Sequence, residues 1–341
     1  MTDTTATASR ASSEGRRVAL LVLGLTALLG IMLTAFALPA IHSGAKGDVP
    51  IGVVAAPPAA DQLTQRLGGS FDVTVYPDAQ AARQAILHRD SYGALVVTPG
   101  HLEVMVATAA STAVAQAITQ VGTGVAAALH VSPSVTEVRG FPAGDPRGAG
   151  LSAGALPLAL GGWIGAVLIM QLIASSRSRI VAVFAFAVVG GFALTAIIQF
   201  GFGTFDGNYL LTSLAAALGI AATAMGVLGL RELFGNIGLV IAAVALILLG
   251  NPLSGLTSAP EMLPAPWGFI GQLLPPGATG ALLRDVALFD GWGATHGLIV
   301  LVCWLVVGLA FYALGLRRQA SKDIEPSAQP DETAATVDAA H

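Results

Sequence analysis

Charge is what this chain has least of. Of its 341 residues, 16 are Lys or Arg and 20 are Asp or Glu, 11% together, against roughly a quarter in an ordinary soluble domain. With 54% hydrophobic residues, that balance excludes a single water-soluble globule. Cysteine is almost absent as well. Cys303 alone rules out an intramolecular disulfide and a cysteine-built zinc site. The two lysines, Lys46 and Lys322, lie outside any GxxxxGK[ST] pattern, so the chain carries no phosphate loop of that kind. Its net charge of −4 lacks the basic field that a nucleic-acid backbone requires. HExxH, GxSxG and CxxC are missing, and His42, His88, His101, His130, His296 and His341 are scattered. The sequence therefore offers no catalytic, cofactor or metal set, and we read the chain as a non-enzyme.

The charges that exist are unevenly placed. Residues 18–45, 148–176, 180–205, 207–230, 233–260 and 291–316 contain none, and each run exceeds the roughly 20 residues that cross a bilayer. This predicts an α-helical polytopic membrane protein with six transmembrane helices. Residues 1–15 read as a polar, unstructured cytoplasmic tail, and 16–40 as the first span behind Arg16 and Arg17. Ala35-Phe36-Ala37 resembles a signal-peptide cleavage pattern, but the apolar stretch is longer than the 7–15 residues of a signal core, so the span is read as retained. Residues 152–318 hold helices two to six, and the acidic 319–341 a second unstructured cytoplasmic tail.

A seventh charge-free run, 104–136, is rich in Ser, Thr, Gln and Gly. Its apolar residues recur periodically at Val114, Ala117, Ile118 and Val121, as on an amphipathic helix packed on a core. With six spans and both termini cytoplasmic in a plasma membrane, Arg10, Arg16, Arg17, Arg177, Arg179, Arg231, Arg317, Arg318 and Lys322 all fall inside. A span at 104–136 would put Arg177 and Arg179 outside. We therefore assign 104–136 to a small extracytoplasmic α/β domain, 41–151. There Ile51–Val54 and the alternating Phe71, Val73 and Val75 read as strands. Asp78 can cap a helix that buries Ala82, Ala85 and Ile86, and Thr98-Pro99-Gly100-His101 turns a hairpin. His42 and His296 are expected at the outer boundary.

Residues 251–293 are apolar but broken by Pro252, Pro260, Pro264, Pro266, Pro275 and Pro276, which no continuous helix accommodates. Two short helices, near 267–274 and 278–289, are expected, either dipping into the membrane or lying at its surface. The spans hold no Asp, Glu, Lys or Arg, only weaker polar groups such as Gln171, Thr195 and Gln199, which disfavours ion-coupled transport. GxxxG at Gly161/Gly165 and the pair Gly190-Gly191 allow close helix packing, within one bundle or between subunits.

The layout of one span, an outer domain and five spans resembles the ABC type-2 exporter permeases, in the branch named after the phage infection protein. Local matches are Gly148-Ala149-Gly150, Pro157 and Gly161-Gly162-Trp163, then Phe234-Gly235-Asn236-Ile237-Gly238, Gly255, Pro260-Glu261-Met262-Leu263-Pro264, Leu274-Pro275-Pro276-Gly277 and Leu283-Arg284-Asp285. The outer domain is much shorter than the coiled-coil insert of the phage infection proteins, and the Ser175–Arg179 link is brief for a coupling helix. The resemblance implies a permease subunit that exports a hydrophobic or amphipathic substrate, driven by a separate ABC ATPase subunit. It also implies a homodimer, or a heterodimer with a related permease, in contact with membrane lipid. On it, Arg177, Arg179, Arg231 and Glu232 dock the ATPase, or act as topology signals alone. Trp267, Phe269, Pro275, Pro276 and Arg284 form an outer gate, or else an interfacial anchor with Arg284 snorkelling. The alternative function is a non-transporting scaffold or surface receptor working through the outer domain.

Overall fold

The computed structural model describes residues 3–41, 47–256 and 258–324. Helix α1 runs over Asp3–Ile41. Its backbone is helical from Asp3, so the helix starts well ahead of the apolar stretch and takes in residues 3–15, although Ser and Thr outnumber the strong helix formers there. His42 and residues 325–341 lie outside the described residues.

A mixed α/β unit follows: β1 (Pro50–Val54), α2 (Pro57–Leu67), β2 (Asp72–Val75), α3 (Ala79–Leu87), β3 (Gly93–Thr98), β4 (His101–Val106), α4 (Thr112–Leu129) and β5 (Ser132–Glu137). The strands form one sheet in the order β2-β1-β3-β4-β5, antiparallel only between β3 and β4. Thr98 pairs with His101 across the Pro99-Gly100 turn. Asp78 Oδ1 accepts the Ala81 N–H at 2.7 Å, and α3 buries Ala82, Ala85 and Ile86. Helix α4 buries Val114, Ala115, Ile118, Gly122 and Ala126 and packs on β3, β4 and β5. A Cβ at Gly122 would meet the Val104 and Leu95 side chains, so glycine sets how closely this helix approaches the sheet. Phe71 is buried beside β2, but Val75 is 51% exposed: β2 is an edge strand, and its outer end has no layer over it.

The remainder is helical: α5 (Ala149–Leu172), α6 (Ser176–Ala196) extended by a π turn at Ile197–Gly201, α7 (Tyr209–Phe234), and α8 (Asn236–Ala243) extended by a π turn at Val244–Leu249. The short α9 (Trp267–Gln272), α10 (Pro275–Leu288) and the long α11 (Ala294–Ile324) complete it. Four helices are long and apolar enough to cross a membrane: α4, α6 with its π turn, α7 and α11. Residues 18–34, 160–172 and 236–249 form shorter apolar helices. Of the four, α4 is committed to the sheet.

Helix α7 is the axis of the bundle. Almost every side chain from Thr212 to Gly229 is buried, under α5, α6, α10 and α11. The outward faces of α1, α6, α8 and α11 instead expose Leu21, Leu23, Val189, Ile237, Val240, Ile299 and Val306. An apolar belt around a buried apolar axis is the inverse of a water-soluble surface and marks a membrane-embedded protein.

Glycines let the helices meet. At Gly191 an added Cβ would lie 2.6 Å from Ala217 N, and at Gly229 it would run into the Gly308 backbone. Gly165 faces the Phe186 ring, and Gly190 lies in ordinary contact with Ile220. Gly161 faces open space, and its neighbour Gly162 makes the contact instead, against Thr223.

Candidate functional site

The two ends of the bundle differ in chemistry. At one end, the α5–α6 turn, the α7–α8 junction and the last turns of α11 converge. Arg179 Nη1 lies 3.7 Å from Glu232 Oε2. The Arg179 guanidinium also donates to the Ile173 and Met170 carbonyls at 2.7 and 3.2 Å, closing the C-terminus of α5. Gln319 donates to Glu232 at 2.8 Å, and the Tyr312 hydroxyl donates to Ser176 O at 3.1 Å. Arg177, Arg317 and Arg318 remain exposed, and Arg231 is half-buried. Of the four residues expected at this face, Arg179 and Glu232 are therefore engaged within the chain, whereas Arg177 is presented outward.

The α/β unit covers the other end, joined by a polar junction. Arg89 sits just past α3 with φ 70°, a left-handed conformation uncommon for a residue with a Cβ. Its Nε is 3.0 Å from Asp285 Oδ1 on α10, and both side chains are mostly buried. The guanidinium lies 4.9 Å from the Phe289 ring centroid and 5.4 Å from that of Tyr92, within cation–π range. The Tyr92 hydroxyl donates to Glu261 Oε2 at 2.8 Å. Burial drives the Tyr92 phenol far above its ordinary range, with Glu261 adding to the rise and Arg89 opposing it, so Tyr92 stays a donor. His88 stacks on Trp292 at 3.8 Å.

A second clamp lies just past β5, at an edge of the sheet. Arg139 reaches Asp206, in the α6–α7 loop, at 2.8 Å and donates to Leu288 O. Asp145 accepts from Ala149 N at 2.9 Å, Gly150 N at 2.7 Å and the Thr204 hydroxyl at 2.7 Å, tying the start of α5 to the same loop.

The expected outer-gate residues separate into two groups. Trp267 and Phe269 on α9 are exposed, and Phe269 borders a cavity of about 330 Å³ shared with Asp48, Glu261, Gln272 and His296. Pro275, Pro276 and Arg284 are buried on α10. Arg284 is only 6% exposed and donates to Leu256 O at 3.2 Å, so it does not snorkel to a surface. Asp285, next to it in sequence, pairs with Arg89. Sequence reasoning missed Arg89, Tyr92 and Glu261 as a group, because 169 and 196 positions separate the bonded partners. Within the bundle, Thr195 Oγ1, Gln199 Oε1 and Ser213 Oγ are buried with no hydrogen-bond partner among the described residues. Compared with protein-family models, curated proteins and solved structures, the chain matches none, and the junction is defined by its own contacts alone.

Proposed function

We propose that the chain is the membrane permease subunit of an ABC type-2 exporter. It moves a hydrophobic or amphipathic substrate out of the cell with energy from a separate ATPase, and works as a pair of identical or related subunits. In this reading α1, α5, α6, α7, α8 and α11 are six spans of the plasma membrane. Both termini are cytoplasmic, and the α/β unit is extracytoplasmic. The observation that carries it is the segregation of charge. The buried axis from Thr212 to Gly229 is wholly uncharged, while Arg177, Arg317 and Arg318, exposed and without an ion pair among the described residues, crowd the end opposite the α/β unit. A bundle without ionisable groups along its axis has nothing to couple to an ion gradient, so its energy comes from a partner, and the cationic end is the face for that partner. Trp267 and Phe269, beside the 330 Å³ cavity, line the outer mouth.

Purification in a mild detergent tests this directly. An ATP-binding chain should co-purify, and Arg177→Gln should weaken its retention without lowering the amount of permease, since Arg177 makes no ion pair among the described residues. Purification with no nucleotide-binding chain, under conditions that preserve the fold, would remove the reading.

A further inference from the structure

Between the two clamps of the junction lies a cavity of about 210 Å³, walled by the loop ahead of α4, the loop ahead of α5 and the middle of α10. Ser111 and Thr112 from the start of α4, Arg147 from the loop and Arg284 from α10 supply its polar surface. Leu151 and Leu256 supply apolar wall.

Three features concentrate positive potential there. The first is the N-terminus of an 18-residue helix, where the Ser111 hydroxyl takes the Val114 N–H. Helix geometry leaves the Thr112 and Ala113 N–H groups without intrahelical partners, at the positive end of the dipole. The second is Arg284. One of its donors is spent on Leu256 O, its Nε has no partner, and it forms no ion pair among the described residues, because Asp285 is taken by Arg89. Asp285 and Glu261 act on it only through space, being bonded to Arg89 and Tyr92, and a buried guanidinium without a bonded counter-anion is costly. Arg147 is the third, exposed on the cavity's rim. Glu137 and Asp145, the acids bonded to the lining loops, do not line the cavity themselves, and both are engaged by backbone N–H groups.

We propose that this cavity binds a phosphate-type oxyanion, with Arg284 as the buried anchor, the α4 N-terminus as the N–H cradle and Arg147 at the rim. A guanidinium fork and a helix N-terminus are the two protein devices best matched to such a group. The volume is below the roughly 300–1,000 Å³ of pockets that enclose a whole drug-sized ligand, so the site takes a head group and not an entire amphiphile. Leu151 and Leu256 offer apolar contact to whatever the phosphate is esterified to. A free phosphate and a phospholipid head group present the same oxygens. The assignment is independent of whether the chain transports anything.

Thermal unfolding of the purified full-length protein tests it. Inorganic phosphate is titrated against chloride at matched ionic strength, and mixed micelles doped with phosphatidic acid are compared with micelles doped with diacylglycerol. A ligand of the folded state raises the midpoint saturably. A rise with inorganic phosphate identifies the free anion as sufficient, and a rise with phosphatidic acid alone identifies the lipid head group. Arg147→Gln, at an exposed position, should keep the ligand-free midpoint and weaken the apparent affinity about tenfold. Arg284→Lys should weaken it further, since it keeps the charge but loses the fork. The proposal is overturned if neither ligand shifts the midpoint, or if Arg147→Glu binds as tightly as the unaltered chain.

Discussion

At the scale of single residues, Arg89 and Asp285 join two parts of the molecule through charges that sit mostly out of water. Removing one partner strands the other, which costs about 3–5 kcal/mol, whereas replacing both by apolar residues of similar size is often close to neutral. Arg89→Ala and Asp285→Ala should each lower the thermal midpoint sharply, and Arg89→Met with Asp285→Leu should recover most of the loss. Equal damage from the double and single changes would show that the ion pair is not the fastening element.

Asp145 allows a second prediction, because it lies outside the spans. Burial alone would raise its pKa, but the Gly150 N–H, the Thr204 hydroxyl and the Ala149 and Gly148 N–H groups outweigh burial and hold it below the usual carboxylate range. A pKa lowered in the folded state contributes stability that is complete above the unfolded value, near 4. That contribution is lost as pH falls through the depressed one. Asp145→Asn should therefore cost about 1 kcal/mol at pH 7. The gap between variant and parent should close on acidification below pH 4, read as converging melting curves.

At the scale of elements, glycine position decides how the helices seat, and one substitution can take either sign. Gly161 faces open space, so Gly161→Ala should be neutral or gain up to about 1 kcal/mol from helix propensity. At Gly229 the new methyl would enter the backbone of α11 at Gly308, and Gly229→Ala should cost about 1–3 kcal/mol through overpacking. Melting midpoints compared in one detergent separate the two.

Elements with a local signal were legible in the sequence. The Asp78 cap, the Pro99-Gly100 hairpin turn, the amphipathic α4 and the proline-broken pair α9–α10 each carry their cause within about ten residues. Two elements of the α/β unit were not. Helix α2 opens on Pro57-Pro58, a start signal at a helix N-terminus that also reads as a loop. β5 is an edge strand carrying Pro133, with Ser134 and Thr136 at its half-buried positions and Val135 exposed, so it has no apolar alternation to detect. In the junction, Arg284 and Asp285 stood out as adjacent charges in an apolar run. Their partners did not, since nothing near residue 285 refers to residue 89.

At the scale of the whole molecule, orientation is the property on which the transport reading turns. Ser132 is exposed at the start of β5, an edge strand of the sheet. In a Cys303→Ser background, Ser132→Cys should react with a membrane-impermeant maleimide in intact cells. Reaction only after permeabilisation would put the α/β unit inside and invert the topology.

The clamps of the α/β unit have a mechanical consequence. Arg89 grips α10 and Arg139 grips the α6–α7 loop, while Asp145, from the stretch that leads out of β5, grips the same loop. A body held at separated points cannot swing on a single tether. Torque applied to the sheet is delivered both to α10 and to the loop that joins α6 to α7, and any sliding of one against the other must shear the sheet's underside or break a clamp. A binding fragment that seized only the Thr98–His101 tip would hold a lever whose short arm is the bundle itself.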